Sequence, residues 1–250
     1  MSITSIVRSA AIGLSMLAGP ANASFHQMKV VEVFPGTAAA PNAQYVIIQM
    51  YADGQKFVSG HHITVFGPTG LTIQVFTFAA DVANGTSQDK ILIATPQAAA
   101  FFGLSADLSM TAVIPLAGGK VCFDAIPEDC IAWGNYSGSA TGVGTPFNAA
   151  TGLQSGKAAI RRLDIAPTPP GSDTALEALD DTNNSATDFV TGSPGPRNNA
   201  RVSGTIPGSI CQNNSIEGLE ECDDGNAVNG DGCSNLCLLE PDKFFMDGFE

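Results

Sequence analysis

The sequence predicts an all-β protein, a β-sandwich followed by a small disulfide-rich module. The chain of 250 residues contains 27 glycines and 15 prolines, which are typical of turns. Between these residues lie many short runs of β-branched and aromatic side chains, and few stretches have the apolar period of a long helix. Four of the six cysteines fall within the last 40 residues, where bridges can stabilise a segment with few apolar residues.

Nine short segments have the composition of strands, and their number and spacing favour a sandwich. They are residues 29–34, 44–51, 61–66, 71–78, 90–94, 110–114, 120–123, 130–133 and 158–163. A helix of about two turns is predicted for residues 96–104. In the fourth segment Leu71, Ile73 and Val75 lie on one face, and Phe76 and Phe78 lie on the other. Both faces of this strand are therefore predicted to be partly apolar.

Residues 1–23 have the pattern of a secretory signal peptide. Arg8 precedes the apolar run from Ala10 to Ala18, and Ala21-Asn22-Ala23 has a small-x-small cleavage pattern. Neither this run nor any later one has the roughly 20 apolar residues of a membrane helix. We therefore expect a secreted protein, extracellular or on the cell surface, without a membrane span.

The chain has a formal net charge of −13. From Cys211 onward there are ten acidic residues and one lysine, so the tail is the most acidic part. This balance argues against a nucleic acid partner, which needs clustered lysine and arginine. It favours cations, basic partners or solubility alone.

Residues 24–190 are predicted to form the sandwich, and the proline- and glycine-rich residues 191–210 a linker. The segments that carry a family resemblance are 30–33, 44–51, 58–60, 89–95, 132–135 and 179–189. In these segments the body resembles a lamin-tail-type domain, an immunoglobulin-like sandwich that occurs in secreted bacterial proteins. Gln44, Gln49 and His61 depart from the family pattern, which usually has acidic residues at the first two positions and tryptophan at the third. The resemblance implies a non-catalytic interaction domain.

Residues 211–240 form a cysteine-rich acidic segment with the spacing Cys-x10-Cys-x10-Cys-x3-Cys. It resembles the Myxococcus-type cysteine-rich repeat of secreted bacterial proteins and is similar in appearance to Notch-type calcium-binding repeats. Four cysteines allow three connectivities, among which the sequence does not choose. The cysteines expected in disulfides are Cys122, Cys130, Cys211, Cys222, Cys233 and Cys237.

Oxygen-bearing side chains are dense from residue 220 to residue 231, on both sides of the second tail cysteine, and they fit the ligand preference of Ca²⁺. The candidate ligands are Glu220, Glu221, Asp223, Asp224, Asn226, Asn229 and Asp231. The spacing is not that of an EF-hand, because no acidic residue follows at the twelfth position from Asp224. The alternative is that Asp-Gly and Asn-Gly pairs build turns and the carboxylates face water. Zinc on free thiols is less favoured, because exported cysteines form disulfides.

Other candidate sites have simpler interpretations. Cys122 and Cys130 are close enough in sequence for a bridge across a hairpin. His61 and His62 are adjacent, so on a strand they would point to opposite faces and not bind one ion. The acidic run beginning at Asp180 is interpreted as a turn in preference to a second cation loop.

We expect no enzyme, because the chain has three histidines and lacks a Gly-x-Ser-x-Gly elbow, a phosphate loop and a His-Glu-x-x-His helix. The expected function is binding or adhesion to an extracellular protein or surface ligand. The alternatives are an accessory protein of an exported hydrolase system, a metal-dependent hydrolase without a recognisable motif, and a structural component of a matrix or envelope. The sequence does not predict the oligomeric state.

Residues 241–250 resemble a short ending of exported gammaproteobacterial proteins and are either a sorting tag or a disordered tail.

Overall fold

A computed structural model describes residues 27–124, 128–165 and 174–240 of the chain. The predicted signal peptide and the C-terminal ending lie outside these residues. Within them, the helices are all too short or too polar to cross a membrane.

The described residues form ten strands and two short α-helices. The helices are α1, Pro96–Phe102, and α2, Ser185–Asp188, and a 3₁₀ helix covers Ala178–Asp180. The strands are β1 Met28–Phe34, β2 Tyr45–Met50, β3 His62–Phe66, β4 Thr72–Thr77, β5 Lys90–Ala94, β6 Leu108–Ser109, β7 Gly118–Phe123, β8 Asp129–Gly134, β9 Ala158–Arg161 and β10 Phe189–Gly192.

The strands form two sheets. The larger has the order β10-β9-β1-β2-β5-β6, and the smaller has the order β4-β3-β7-β8. Neighbouring strands are antiparallel except for the β5–β6 pair, which is parallel. The two sheets pack face to face around one apolar cluster, to which Val46 and Ile91 contribute from the larger sheet and Val65, Val121 and Trp133 from the smaller. The predicted all-β sandwich is confirmed.

The outer face of the larger sheet is also covered. Helix α1 lies over it and is capped by Thr95, whose hydroxyl accepts a hydrogen bond from the Ala98 N–H. The Phe102 ring of α1 packs edge-on against Phe34 and Tyr45 at centroid distances of 5.5 and 5.6 Å. Burial on both faces explains why β1 and β2 are apolar at nearly every position instead of alternating.

The strand predicted at 110–114 is wrong, since the structure has no strand there. Met110 and Ile114 are buried as apolar residues, but the backbone there bonds to a side chain. The Gln44 amide donates to the Ile114 carbonyl at 3.0 Å and accepts from the Ile114 N–H at 2.8 Å. The buried Gln44 side chain therefore supplies the backbone hydrogen bonds that a neighbouring strand would supply. The apolar periodicity of the sequence does not indicate such a contact.

The segment predicted as a linker, 191–210, begins within β10 and then follows the sandwich. The Gly195 N–H donates to Glu32, the Asn199 N–H donates to Asp107, and the Thr205 N–H donates to the Phe102 carbonyl. Although it is rich in proline and glycine, this segment therefore follows a defined path across the larger sheet as far as Thr205.

Candidate functional site

Two disulfides organise the acidic tail. They join Cys211 to Cys237 and Cys222 to Cys233, and a third joins Cys122 to Cys130 across the β7–β8 hairpin. All six cysteines are therefore paired. Three disulfides are typical of an oxidising compartment, extracellular or periplasmic.

Many acidic and amide side chains of the tail close local turns. Asp223 accepts from the Gly225 N–H at 2.8 Å, Asp224 from the Asn226 N–H at 3.2 Å, and Asn226 from the Val228 N–H at 2.6 Å. Gly225 has a φ of 77°, the left-handed conformation that glycine adopts without a steric cost. This is the bonding pattern of Asx turns, which need no ion.

Glu220 is different from its neighbours. Its residue is 5 % exposed, and its Oε1 atom is buried without a hydrogen-bond partner among the described residues. The other oxygen accepts from the Glu217 N–H at 2.9 Å. Glu220 and Asp223 each place a carboxylate oxygen within 4.8 Å of the other and of the Cys237 sulfur, but that sulfur is in a disulfide and is not a thiolate ligand.

Asp223 is held ionised. Its partial desolvation raises its pKa, but backbone N–H groups of Asn213, Gly225 and Asn214 outweigh this effect and keep the pKa below its ordinary value. The Glu220 carboxylate, which has one oxygen without a hydrogen-bond partner among the described residues, therefore lies beside the Asp223 carboxylate, whose anionic form is stabilised.

The remaining predicted ligands lie in separate interactions. Glu221 accepts from the Leu239 N–H at 3.1 Å, and Asn229 accepts from the Asn235 N–H at 2.8 Å. Asn226 donates to Asp231 at 3.2 Å. Of the seven candidates, Glu220 and Asp223 are the two whose carboxylates belong to a compact group of metal-ligand atoms, and the structure does not gather all seven around one point.

His61 and His62 both approach one carboxylate, contrary to the argument from strand alternation. Their Nδ1 atoms lie 3.3 and 2.8 Å from the two oxygens of Asp124. The alternation rule does not apply because β3 begins at His62, so His61 lies in the preceding turn. Among the described residues these three side chains do not form a compact group of metal-ligand atoms.

The run beginning at Asp180 is fixed by protein groups. Asp188 accepts from the Thr182 N–H at 3.0 Å and from its hydroxyl at 2.6 Å. Asp181 accepts from Lys29 at 2.7 Å and lies 3.6 Å from the guanidinium of Arg161. These contacts hold Asp181 and Asp188 within the protein, whereas the buried Asp180 Oδ1 atom has no hydrogen-bond partner among the described residues.

A buried ionic network that the sequence analysis missed lies under this turn. Arg161 of β9 is fully buried and reaches Asp129 of β8, while Lys29 of β1 lies 3.5 Å from the same carboxylate. Asp181 and Asp188 complete the network at 3.6 and 3.8 Å from Arg161. Its members come from four separate parts of the sequence, so no local motif marks it. The sequence does place charged residues inside mostly apolar strands, namely Lys29 and Glu32 in β1 and Arg161 in β9.

One face of β4 is apolar and exposed. Leu71, Ile73 and Val75 are 75, 43 and 42 % exposed, on the face that the sequence alternation had indicated. The strand lies at the end of the smaller sheet and pairs on one side with β3. From Gly67 to Ala80 there is no charged residue, so this edge lacks the charged side chains that usually protect exposed edges.

An open cavity adjoins this edge. It has a volume of about 480 Å³ and is lined by Phe76 of β4, Ser109 of β6, Met110 of the following loop, and Pro96 and Gln97 of α1. Because β4 and β6 are the end strands of the two sheets, the cavity lies where both sheets end.

A comparison with known families identifies one part of the chain. The family described as a domain of unknown function, DUF4215, matches residues 207–238, which include the four tail cysteines and all seven candidate cation ligands. No lamin-tail domain was identified in the body, and no curated protein and no solved structure matches the chain. The cysteine-rich, disulfide-bonded C-terminal region is thus similar to DUF4215 domains.

Proposed function

We propose that this is a secreted or cell-surface, non-catalytic interaction protein that binds an extended apolar segment of an extracellular partner along β4. The observation that carries the proposal is the exposed, uncharged stripe of Leu71, Ile73 and Val75 on an end strand. Soluble proteins rarely leave such an edge unprotected, because it pairs with other strands.

The chemistry of the edge favours strand addition. An extended segment beside β4 would bond to the backbone of its unpaired side, which supplies affinity, while alternate side chains contact the stripe or the cavity, which supplies specificity. Phe76 and Met110 give the cavity an apolar lining. The partner segment is therefore expected to have apolar side chains at alternate positions.

The same proposal includes two further points. Residues 1–23 act as the secretion signal, and the sandwich is a lamin-tail-type, immunoglobulin-like domain. The three disulfides support export. The engagement of Asp181 by Lys29 and Arg161 favours a binding role over the metal-dependent hydrolase, because that alternative needs these carboxylates free beside a histidine.

The experiment compares two aspartate substitutions on end strands. Val75→Asp changes the stripe, and Val190→Asp on β10 is the matched control, since the two valines are 42 and 45 % exposed. Binding of the fluorescent, oxidised protein is measured on washed cells of the producing organism and on their extracellular protein fraction. We expect saturable binding that falls at least tenfold for Val75→Asp and is retained by Val190→Asp. Equal binding by both variants, or none by the original chain, would overturn the proposal.

We also propose that the tail binds Ca²⁺ at Glu220 and Asp223. The unpartnered Glu220 Oε1 atom supports a cation there, since a buried orphan oxygen otherwise costs free energy. Ca²⁺ takes six to eight oxygen ligands, so backbone carbonyls and water would complete the shell around these two carboxylates.

Calorimetric titration of the oxidised chain with CaCl₂ tests this site. We expect saturable binding that Glu220→Gln weakens at least tenfold, while Asp164→Asn, a surface substitution with the same loss of charge, leaves it unchanged. Absence of calcium-dependent heat in the unsubstituted chain would contradict the site and leave the tail as a disulfide-bonded spacer.

A further inference from the structure

A second pocket gathers positive charge on this acidic chain. It has a volume of about 310 Å³ and is lined by Lys90, Arg197 and Arg201 together with Asp89, Thr86, Ser87 and Gln88. The described residues contain nine lysines and arginines, so a third of them line this one pocket. In a chain with a formal net charge of −13, such a concentration of cations is unexpected for a solvated surface.

The single carboxylate of the pocket does not cancel this charge. Asp89 is buried, and its two oxygens accept from Arg201 Nε at 2.8 Å and Nη2 at 3.0 Å. The hydrogen bond to Arg201 is the main reason why the pKa of Asp89 lies below its ordinary value. Three cations face one anion that is already bonded, so the pocket keeps an excess of positive charge.

Two of the cations lack a hydrogen-bond partner among the described residues, although Arg197 interacts electrostatically with the buried Asp89. The side chains of Lys90 and Arg197 form no hydrogen bond or ion pair with another described residue. Glu32 interacts electrostatically with Lys90, but it is buried and accepts from the Tyr45 hydroxyl and the Gly195 N–H. The free donors of Lys90 and Arg197 therefore remain for a ligand.

The hydroxyl groups in the pocket are arranged to donate. Thr86 Oγ1 accepts from Arg201 Nη2 at 3.2 Å, and Ser87 Oγ accepts from the Gln88 amide at 3.3 Å. A hydroxyl that accepts one hydrogen bond still has its own proton to donate. The pocket thus offers two hydroxyl donors besides the cations, and an anion would satisfy both kinds of group.

The backbone that carries these groups is fixed. Gln88 has a φ of 73° and Arg201 a φ of 65°, a conformation uncommon for residues other than glycine. The Gln88 side chain bonds to both the N–H and the carbonyl of Leu176. Asn199 ties the Arg197–Arg201 segment to β5 through a bond to the Lys90 carbonyl at 3.2 Å. A fixed backbone limits the conformational entropy that the pocket loses on binding to that of its side chains.

We infer that this pocket binds a tetrahedral oxyanion, a sulfate or phosphate group, through Lys90, Arg197, Arg201 and the two hydroxyls. Arginine matches such a group because its planar donors reach two oxygens at once. The anion is either free in solution or an ester group on an extracellular polymer. The inference is independent of β4, which lies in the other sheet.

Calorimetry on the oxidised chain distinguishes these sources with three probes: sodium sulfate, sodium phosphate and a sulfated disaccharide, with the unsulfated disaccharide as a blank. The test variant is Arg197→Gln. The control is Lys157→Gln, which removes one positive charge from a side chain outside the pocket. We expect binding of a sulfated or phosphate probe that weakens at least tenfold in Arg197→Gln and changes less than twofold in Lys157→Gln.

Preference for the disaccharide over free sulfate would support the ester, and binding of the free ions alone would support a free-anion site. The inference is overturned if none of the charged probes binds. It is also overturned if the two variants lose affinity equally, because the effect would then be general electrostatics.

Discussion

The Arg161 guanidinium and the Asp129 carboxylate form an ion pair inside the sandwich, with Nη2 3.1 Å from both carboxylate oxygens. The side chains are 0 and 3 % exposed. Arg161 also lies over the Phe189 ring at 4.7 Å and donates to the Val30 carbonyl at 2.8 Å. The pair therefore connects β8, β9, β1 and the start of β10 through one side chain.

We predict that Arg161→Met lowers the free energy of unfolding by about 3–5 kcal/mol, the usual cost of leaving a buried charge without its partner. Methionine keeps much of the packing volume but leaves Asp129 without its main counter-charge. Urea unfolding followed by tryptophan fluorescence measures the change, because Trp133 is buried in the same sheet as Asp129. Arg162→Met, which removes an exposed pair with Asp164, is the control and should have little effect.

The same network predicts an unusual response to acid. Burial raises the pKa of Asp129 from 3.8 to about 6, against the opposing effects of Arg161 and Lys29. Burial also acts to raise the pKa of Asp181, but Arg161 and Lys29 outweigh it and lower that pKa to about 2. The two carboxyl groups therefore contribute to stability in opposite directions.

As pH falls from about 6 to 3.8, the folded state takes up a proton at Asp129 before the unfolded state does, so this group stabilises the fold. Below 3.8 the unfolded state is protonated at Asp181 while the folded state stays ionised, so the stability from Asp181 is lost as pH falls toward 2. We expect urea unfolding at pH 7, 5, 4 and 3 to show that the Asp129 contribution to the free energy of unfolding of the unsubstituted protein rises as pH falls from 6 to 4. The Asp129→Asn variant should lack this increase. Parallel profiles of the two proteins would show that Asp129 titrates normally.

Gln44 is predicted to be essential for the segment after β6. It donates to the Pro35 and Ile114 carbonyls at 3.2 and 3.0 Å and accepts from the Ile114 N–H. Gln44→Met keeps the volume but leaves these buried backbone groups unpaired, at about 1–3 kcal/mol each. We expect a lower melting temperature and faster hydrogen exchange at the Ile114 amide. Gln97→Met on α1 is the control, and an unchanged Ile114 amide would contradict the assignment.

This glutamine also shows where sequence reasoning was sufficient and where it was not. Strands whose apolar residues face a core, such as the segment around Ile91, were placed within a residue or two because burial fixes their pattern. Residues 110–114 are also mainly apolar, but Gln44, 70 positions away from Ile114, bonds to that backbone. Local periodicity cannot indicate a long-range contact of this kind.

The candidate sites divide in the same way. Local spacing indicated the acidic, cysteine-rich tail and the apolar face of β4. The Arg161 network and the Lys90, Arg197 and Arg201 pocket depend on the topology. Lys90 and Arg197 are separated by more than 100 residues, and they meet only because the segment after β10 crosses the larger sheet to β5.

The last prediction concerns the tail, whose order depends on covalent bonds. Val228, Leu236 and Leu239 are exposed by 59, 72 and 66 %, so the tail has little apolar burial of its own. Replacing Cys222 and Cys233 by serine should therefore remove about 2–4 kcal/mol from the tail. We expect thermolysin, which cleaves beside apolar residues, to cut between residues 222 and 237. The melting temperature of the sandwich should be unchanged.

The matched control replaces Cys122 and Cys130 by serine. That bridge joins β7 and β8, which are also held by a ladder of paired residues from Gly118 to Phe123, so the tail should stay resistant to protease. Cleavage of the tail at equal rates in both double variants would contradict the prediction. It would mean that the order of residues 211–240 comes from contacts with the sandwich, such as the packing of Leu219 against the outer face of the larger sheet.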